Sequence, residues 1–120
     1  MKDANWQCAP DVIDERCLIF QIKNKGSCII TGCGHTGIIN ATKHAINSLN
    51  SDQVYCIMGG FHLAGSEFAD RIKPTVDDLQ KINPKYIVSG HCTGRKTQAE
   101  LSTIFGQRHI PYGVGAVLKF

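Results

Sequence analysis

A chain of 120 residues, 42% hydrophobic and 19% charged with a formal charge of +3, has the make-up of one globular domain, large enough to bury a core. Its basic residues are spread without a block, which excludes the electrostatic footprint of a nucleic-acid-binding or membrane-surface protein. No run approaches the ~18 apolar residues of a membrane span, and the start, Met-Lys-Asp-Ala-Asn-Trp, lacks the apolar core of a signal peptide, so the expectation is a cytoplasmic protein with no membrane partner.

In chain order, residues 1–15 are polar and irregular around Pro10 and read as an arm that leans on something else, or as a truncation scar. Leu18, Phe20 and Ile22 then alternate with Ile19, Gln21 and Lys23. After the turn Lys-Asn-Lys-Gly the apolar run 27–31 follows, and the two runs predict an antiparallel hairpin. Over residues 36–50, Ile38, Ile39, Thr42, Ala45, Ile46 and Leu49 fall on one helical face, with Asn40, Lys43, His44 and Asn47 on the other. Residues 54–58 predict a short strand, so strand, helix and strand form a parallel, right-handed crossover. Thr75 with Asp78 predicts a capping-box start for a helix reaching Asn83, where Pro84 stops it. Residues 86–89 read as the next strand, 93–105 as a third helix closed by Gly106, and 112–120 as a glycine-interrupted edge strand. The fold class is α/β.

Six cysteines (Cys8, Cys17, Cys28, Cys33, Cys56, Cys92) would suit a disulfide frame in number, but no C-x-x-C spacing occurs and Cys17, Cys28 and Cys56 fall inside strand-like runs. Reduced, packed thiols are expected. Cys33 and Cys92, beside two notable histidines, are candidates for a soft ligand or a packed thiol, and packing is the preferred reading.

Three of the five histidines share one setting. Thr-Gly-Cys-Gly-His35, Gly-Gly-Phe-His62 and Ser-Gly-His91 each follow the end of a predicted strand. Loops beyond the carboxyl ends of parallel strands share one edge of the sheet, where such sheets build ligand sites, so His35, His62 and His91 can converge. Three imidazoles supply the protein side of a metal site with an open position, for zinc first, with iron or manganese compatible. Thr36-Gly37 and Thr93-Gly94, at the two helix starts beside these histidines, are candidates for holding an anionic substrate group, or for ordinary capping. His44 and His109 are expected to be solvated.

The segments GCGHTGIIN (32–40), GGFHL (59–63), HCTG (91–94) and the ending VGAVLKF resemble the metallo-β-lactamase-fold metallohydrolases. They are most similar to the branch of dihydropterin-linked ribofuranosylaminobenzene phosphate synthase-like proteins. The resemblance runs from about residue 14 to 120 and assigns residues 16–120 to the C-terminal half of such a domain. It implies half of an αβ/βα sandwich, a mixed sheet with helices on one face. It also implies metal-ligand roles for His35 and His91, and for His62, where the wider superfamily places an aspartate. The family's H-x-H-x-D-H motif, which supplies further ligands and the proton-handling aspartate, does not occur in this sequence.

The resemblance thus implies a metal-dependent hydrolase in which activated water attacks an ester or phosphoester of a small molecule, completed by an N-terminal half. The alternatives are a non-catalytic metal- or anion-binding half-domain that self-associates, or an inert truncated product. The expected partners are a second copy or a separately encoded N-terminal half.

Overall fold

The computed structural model describes residues 15–119; the expected arm at 1–15 lies outside the described residues except for its last position. Two strands open the chain, β1 (Cys17–Ile22) and β2 (Gly26–Thr31), paired antiparallel from Cys17↔Thr31 to Ile22↔Gly26. Helix α1 (Ile38–Leu49) follows, then β3 (Val54–Gly60), α2 (Ala69–Ile82), β4 (Tyr86–Gly90), α3 (Arg95–Phe105) and β5 (His109–Pro111). The five strands form one sheet in sequence order, with β2 to β5 mutually parallel.

Sequence order in a parallel sheet has a physical consequence. Right-handed crossovers that always step in the same direction lay every helix on the same face. A single core cluster accordingly joins Ile29, Ile57 and Ile87 of the sheet to Ile39 and Ala45 of α1, Val76 and Leu79 of α2, and Leu101 and Phe105 of α3. The opposite face carries Cys28, Cys56 and Val88, flanked by Ile22, Ile30, Tyr55, Met58, Tyr86 and Ile110, and among the described residues this cluster includes no helix residue. Among the described residues of the chain end, Tyr112 and Leu118 pack against it. Leu18 (60% exposed) and Phe20 (38%) continue the apolar face to the edge strand β1. The mixed sheet with helices on one face, expected from the resemblance, is the architecture found.

Two elements and one histidine differ from the sequence reading. Helix α2 begins at Ala69, after a turn of 3-10 helix (Ser66–Phe68), and passes through Pro74. Thr75 is therefore a buried helix-interior residue and not a cap, because Phe68, Ile72, Val76 and Leu79 form a continuous apolar stripe that outweighs the proline. The last strand is β5 at 109–111, not 112–120, because the ladder with β4 pairs Ile87↔His109 and Ser89↔Pro111. His109, expected in a solvated turn, is buried (5% exposed), its Nε2 2.7 Å from Ser89 Oγ and its Nδ1 2.8 Å from Ser102 Oγ. Burial holds its imidazole below the ordinary value.

Cys28 and Cys56 are buried and packed as expected, Cys17 is half-buried on the helix side, and the five described cysteines are free thiols. No helix among the described residues is long and apolar enough to cross a membrane.

Candidate metal centre

The loops after β2, β3 and β4 leave the same edge of the sheet and are laced together by main-chain hydrogen bonds. Gly60 N–H donates to Gly32 O (2.8 Å), and Leu63 and Ala64 N–H both donate to Cys92 O (3.1 Å). Thr31 Oγ donates to Gly60 O (3.1 Å), and Phe61 N–H donates to Thr93 Oγ (3.2 Å), which itself donates to Gly90 O (2.8 Å). Gly34 permits this closeness: at φ +71° its backbone suits glycine, and any Cβ there would strike the Gly60 carbonyl.

On this base His62 (φ +48°) and His91 (φ +52°) adopt the left-handed backbone region. Such a conformation costs on the order of 1 kcal/mol for a side chain of this kind and persists where its surroundings impose it, often at functional sites. His35 and His62 meet edge to face, ring centroids 4.5 Å apart, and the Phe68 ring also stands against His62 at 5.0 Å.

His91 is engaged differently. Its Nε2 lies 3.1 Å from Cys33 Sγ, and Cys92 Sγ donates to Cys33 O at 3.0 Å. The ligand atoms of Cys33, His91 and Cys92 all lie within 4.8 Å of one another, with both cysteines half-buried and His91 exposed. Burial pushes the Cys92 thiol up, and the neighbouring Cys33 adds to this against the His62 backbone N–H, which favours the thiolate. The structure thus brings His35 to His62, and His91 to two thiols for which the sequence favours a packing role. Cysteines two residues before His35 and one after His91 were the available signal.

The remaining candidates are occupied by the chain itself. Thr36 N–H, at the start of α1, donates to the Glu15 carboxylate, and Gly37 N–H donates to Gly34 O. Partial burial pushes the Glu15 carboxyl up, but the backbone N–H groups of Thr36 and His35, with the nearby His35 ring, bring it below its ordinary value. The hydroxyl of buried Thr93 is committed to Gly90 and Phe61, and Gly94 (φ +85°) packs its backbone against Ala64 ahead of α3. His44 is exposed on α1, with Ser48 Oγ 3.4 Å from its Nε2.

Imidazole nitrogen and thiol sulfur, with no carboxylate in the cluster among the described residues, form a borderline-to-soft donor set that fits a divalent metal such as zinc.

No family model matches the chain. It is 31% identical over 116 residues to the 7,8-dihydropterin-6-methyl-4-(beta-D-ribofuranosyl)-aminobenzene-5'-phosphate synthase of Methanocaldococcus jannaschii, an alignment covering 97% of this chain and 39% of that protein. It is also 34% identical over 76 residues to the uncharacterized protein MJ0448 of the same organism, covering 63% of this chain and 28% of that one. Among solved structures it is similar to Tm1679, a metal-dependent hydrolase of the beta-lactamase superfamily, with a TM-score of 0.77 and 28% identity over 87% of this chain and 40% of that chain. The chain spans about two fifths, or less, of the length of each of these three relatives.

Proposed function

We propose, from the likeness of this chain to a metal-dependent hydrolase of the beta-lactamase superfamily and to the Methanocaldococcus jannaschii synthase, that it supplies one half of a metal-dependent catalytic centre of the metallo-β-lactamase kind, with His35, His62 and His91 as ligands. The observation that carries this reading is the placing of all three on loops beyond the ends of adjacent parallel strands, with His35 and His62 ring to ring. A divalent metal held there, zinc by preference and iron or manganese alternatively, would acidify water and stabilise negative charge on a substrate oxygen.

The chain's own part is to hold and orient these ligands. Backbone hydrogen bonds at Gly32, Gly60 and Cys92 fix the three loops, and Phe68 against His62 restricts that ring. The proton acceptor and further ligands come from a complementary half of the fold, which also covers the apolar face opposite the helices; a second copy of this chain is the other occupant to be tested. The reaction is hydrolysis of a small-molecule ester or phosphoester in a cytoplasmic setting.

A second reading is favoured by the name of the 31%-identical relative, a synthase: the same centre would serve synthesis of a ribofuranosyl-aminobenzene phosphate instead of hydrolysis.

Elemental analysis of the purified chain, with light scattering for its mass, tests the ligand assignment. A loss of about one metal ion per chain in His35→Ala and in His62→Ala supports it, and metal content indifferent to both changes overturns it. Chelator-sensitive hydrolysis of a generic phosphodiester then separates hydrolysis from the synthase reading.

A further inference from the structure

We propose that Cys33, His91 and Cys92 form a soft-metal site of their own, a two-thiolate, one-imidazole centre for zinc or an ion of similar softness. It shares His91 with the centre proposed above but needs neither His35 nor His62. Three observations carry it.

The first is distance. The three ligand atoms lie within 4.8 Å of one another, and Cys33 Sγ already stands 3.1 Å from His91 Nε2. Zinc bonded at about 2.3 Å to sulfur and about 2.0 Å to nitrogen in a tetrahedron sets its ligands about 3.5–3.8 Å apart, so side-chain rotation suffices to close on the ion.

The second is that main-chain bonds hold the two loops, in addition to the thiol contact of Cys92 Sγ with Cys33 O. Cys33 and Cys92 come from loops on either side of β3, and their backbones are fixed by Gly60 N–H on Gly32 O and by Leu63 and Ala64 N–H on Cys92 O. The two loop backbones are therefore held near each other by groups that metal binding would not disturb. A site whose ligands are positioned in advance avoids much of the ordering cost of binding.

The third is the space left at Gly60. Its φ lies outside the left-handed region, so the backbone does not call for glycine, yet a Cβ there would stand 2.8 Å from Cys92 Sγ, 2.8 Å from Gly32 O and 3.1 Å from Cys33 Cα. A side chain at 60 would fill the ground between the two cysteines.

Two thiolates neutralise a divalent ion, so no carboxylate is needed, and none lies in the cluster among the described residues. Exposure of His91 leaves the fourth position to water or to a ligand from solution. Sulfur donors select zinc, cobalt or copper(I) over magnesium and manganese.

The test is a titration of the reduced full chain with cobalt(II), read by absorption. The expected result is an intense sulfur-to-cobalt charge-transfer band that saturates at one equivalent, is lost in Cys33→Ser and in Cys92→Ser, and survives in the His35→Ala/His62→Ala double variant. Cobalt bound without that band, or a band indifferent to both serine substitutions, overturns the proposal. Should the serine variants lose their far-ultraviolet circular dichroism, X-ray absorption at the zinc edge of the unaltered chain decides. Sulfur scatterers support the site, and a shell of nitrogen and oxygen alone rejects it. The three-histidine centre fails separately, if no metal is lost between the parent chain and the His35→Ala/His62→Ala variant.

Discussion

His109 between Ser89 and Ser102 shows how a residue can invert its sequence expectation. A polar histidine beside Pro111 suggests solvent, but both ring nitrogens find hydroxyls at 2.7 and 2.8 Å under α3, and the ring is buried. Its imidazole titrates below the ordinary 6.5, so in acid the unfolded chain binds a proton that the folded chain resists. Its contribution is whole above that ordinary value and is lost as the pH falls toward the lowered folded one. Urea unfolding should therefore show stability declining from pH 7.5 to pH 5, with a shallower decline in His109→Ala. That variant also leaves buried Ser89 short of a partner and should lose about 1–3 kcal/mol at neutral pH. Equal slopes for both proteins would remove His109 as the cause. Gly60 supports a second prediction at this scale. Gly60→Ala presses the β3 loop against Cys92 and Gly32, so the thiols should part and label severalfold faster with a maleimide while the fold survives, at a cost of about 1–3 kcal/mol.

At the scale of elements, Pro74 is the informative case. Its missing N–H leaves the Asp70 carbonyl without its helical donor, which ordinarily costs ~3 kcal/mol, yet α2 runs through it from Ala69 to Ile82. Burial of Ile72, Val76 and Leu79 holds the helix together. Pro74→Ala should restore the bond and, after the extra freedom given to the unfolded chain, raise stability by about 2 kcal/mol or less, measured by thermal or urea unfolding. A destabilised variant would mean that the ring's own packing outweighs the bond. The same proline explains why the start of α2 was misread: Pro-Thr followed by acids imitates a helix start, whereas the stripe from Phe68 is legible only once the proline is discounted. The hairpin, α1 and the middle strands were readable because their periodicity was uninterrupted. The strand-end histidines were readable for a related reason: glycine-flanked residues after apolar runs mark the loops at one sheet edge. The association of Cys33 with Cys92, 59 residues apart, was not readable, because it follows from the spatial order of β2, β3 and β4.

For the whole molecule, the decisive property is winding in one direction. With β1 to β5 in order and the helices on a single side, the second face of the sheet keeps its apolar row from Leu18 and Phe20 across Ile30, Met58 and Val88 to Ile110, and among the described residues outside the sheet Tyr112 and Leu118 are those that pack against it. A face of that kind on a chain by itself favours association, because each apolar group removed from water contributes roughly 25 cal/mol per Å². The 120-residue chain purified alone should therefore run as a dimer or larger species in light scattering. Leu18→Lys with Phe20→Lys changes the two most exposed members while sparing the buried Cys28, Cys56 and Val88, so the fold should persist and the mass should fall toward that of one chain. Because β1 is also an edge strand among the described residues, strand addition along it is the other route to association, and the two routes differ in their response. Charged side chains on the face abolish packing of face on face, whereas strand addition along β1 tolerates them in part. A monomeric parent chain would remove the need for any cover, and with it the structural support for the proposed complementary half.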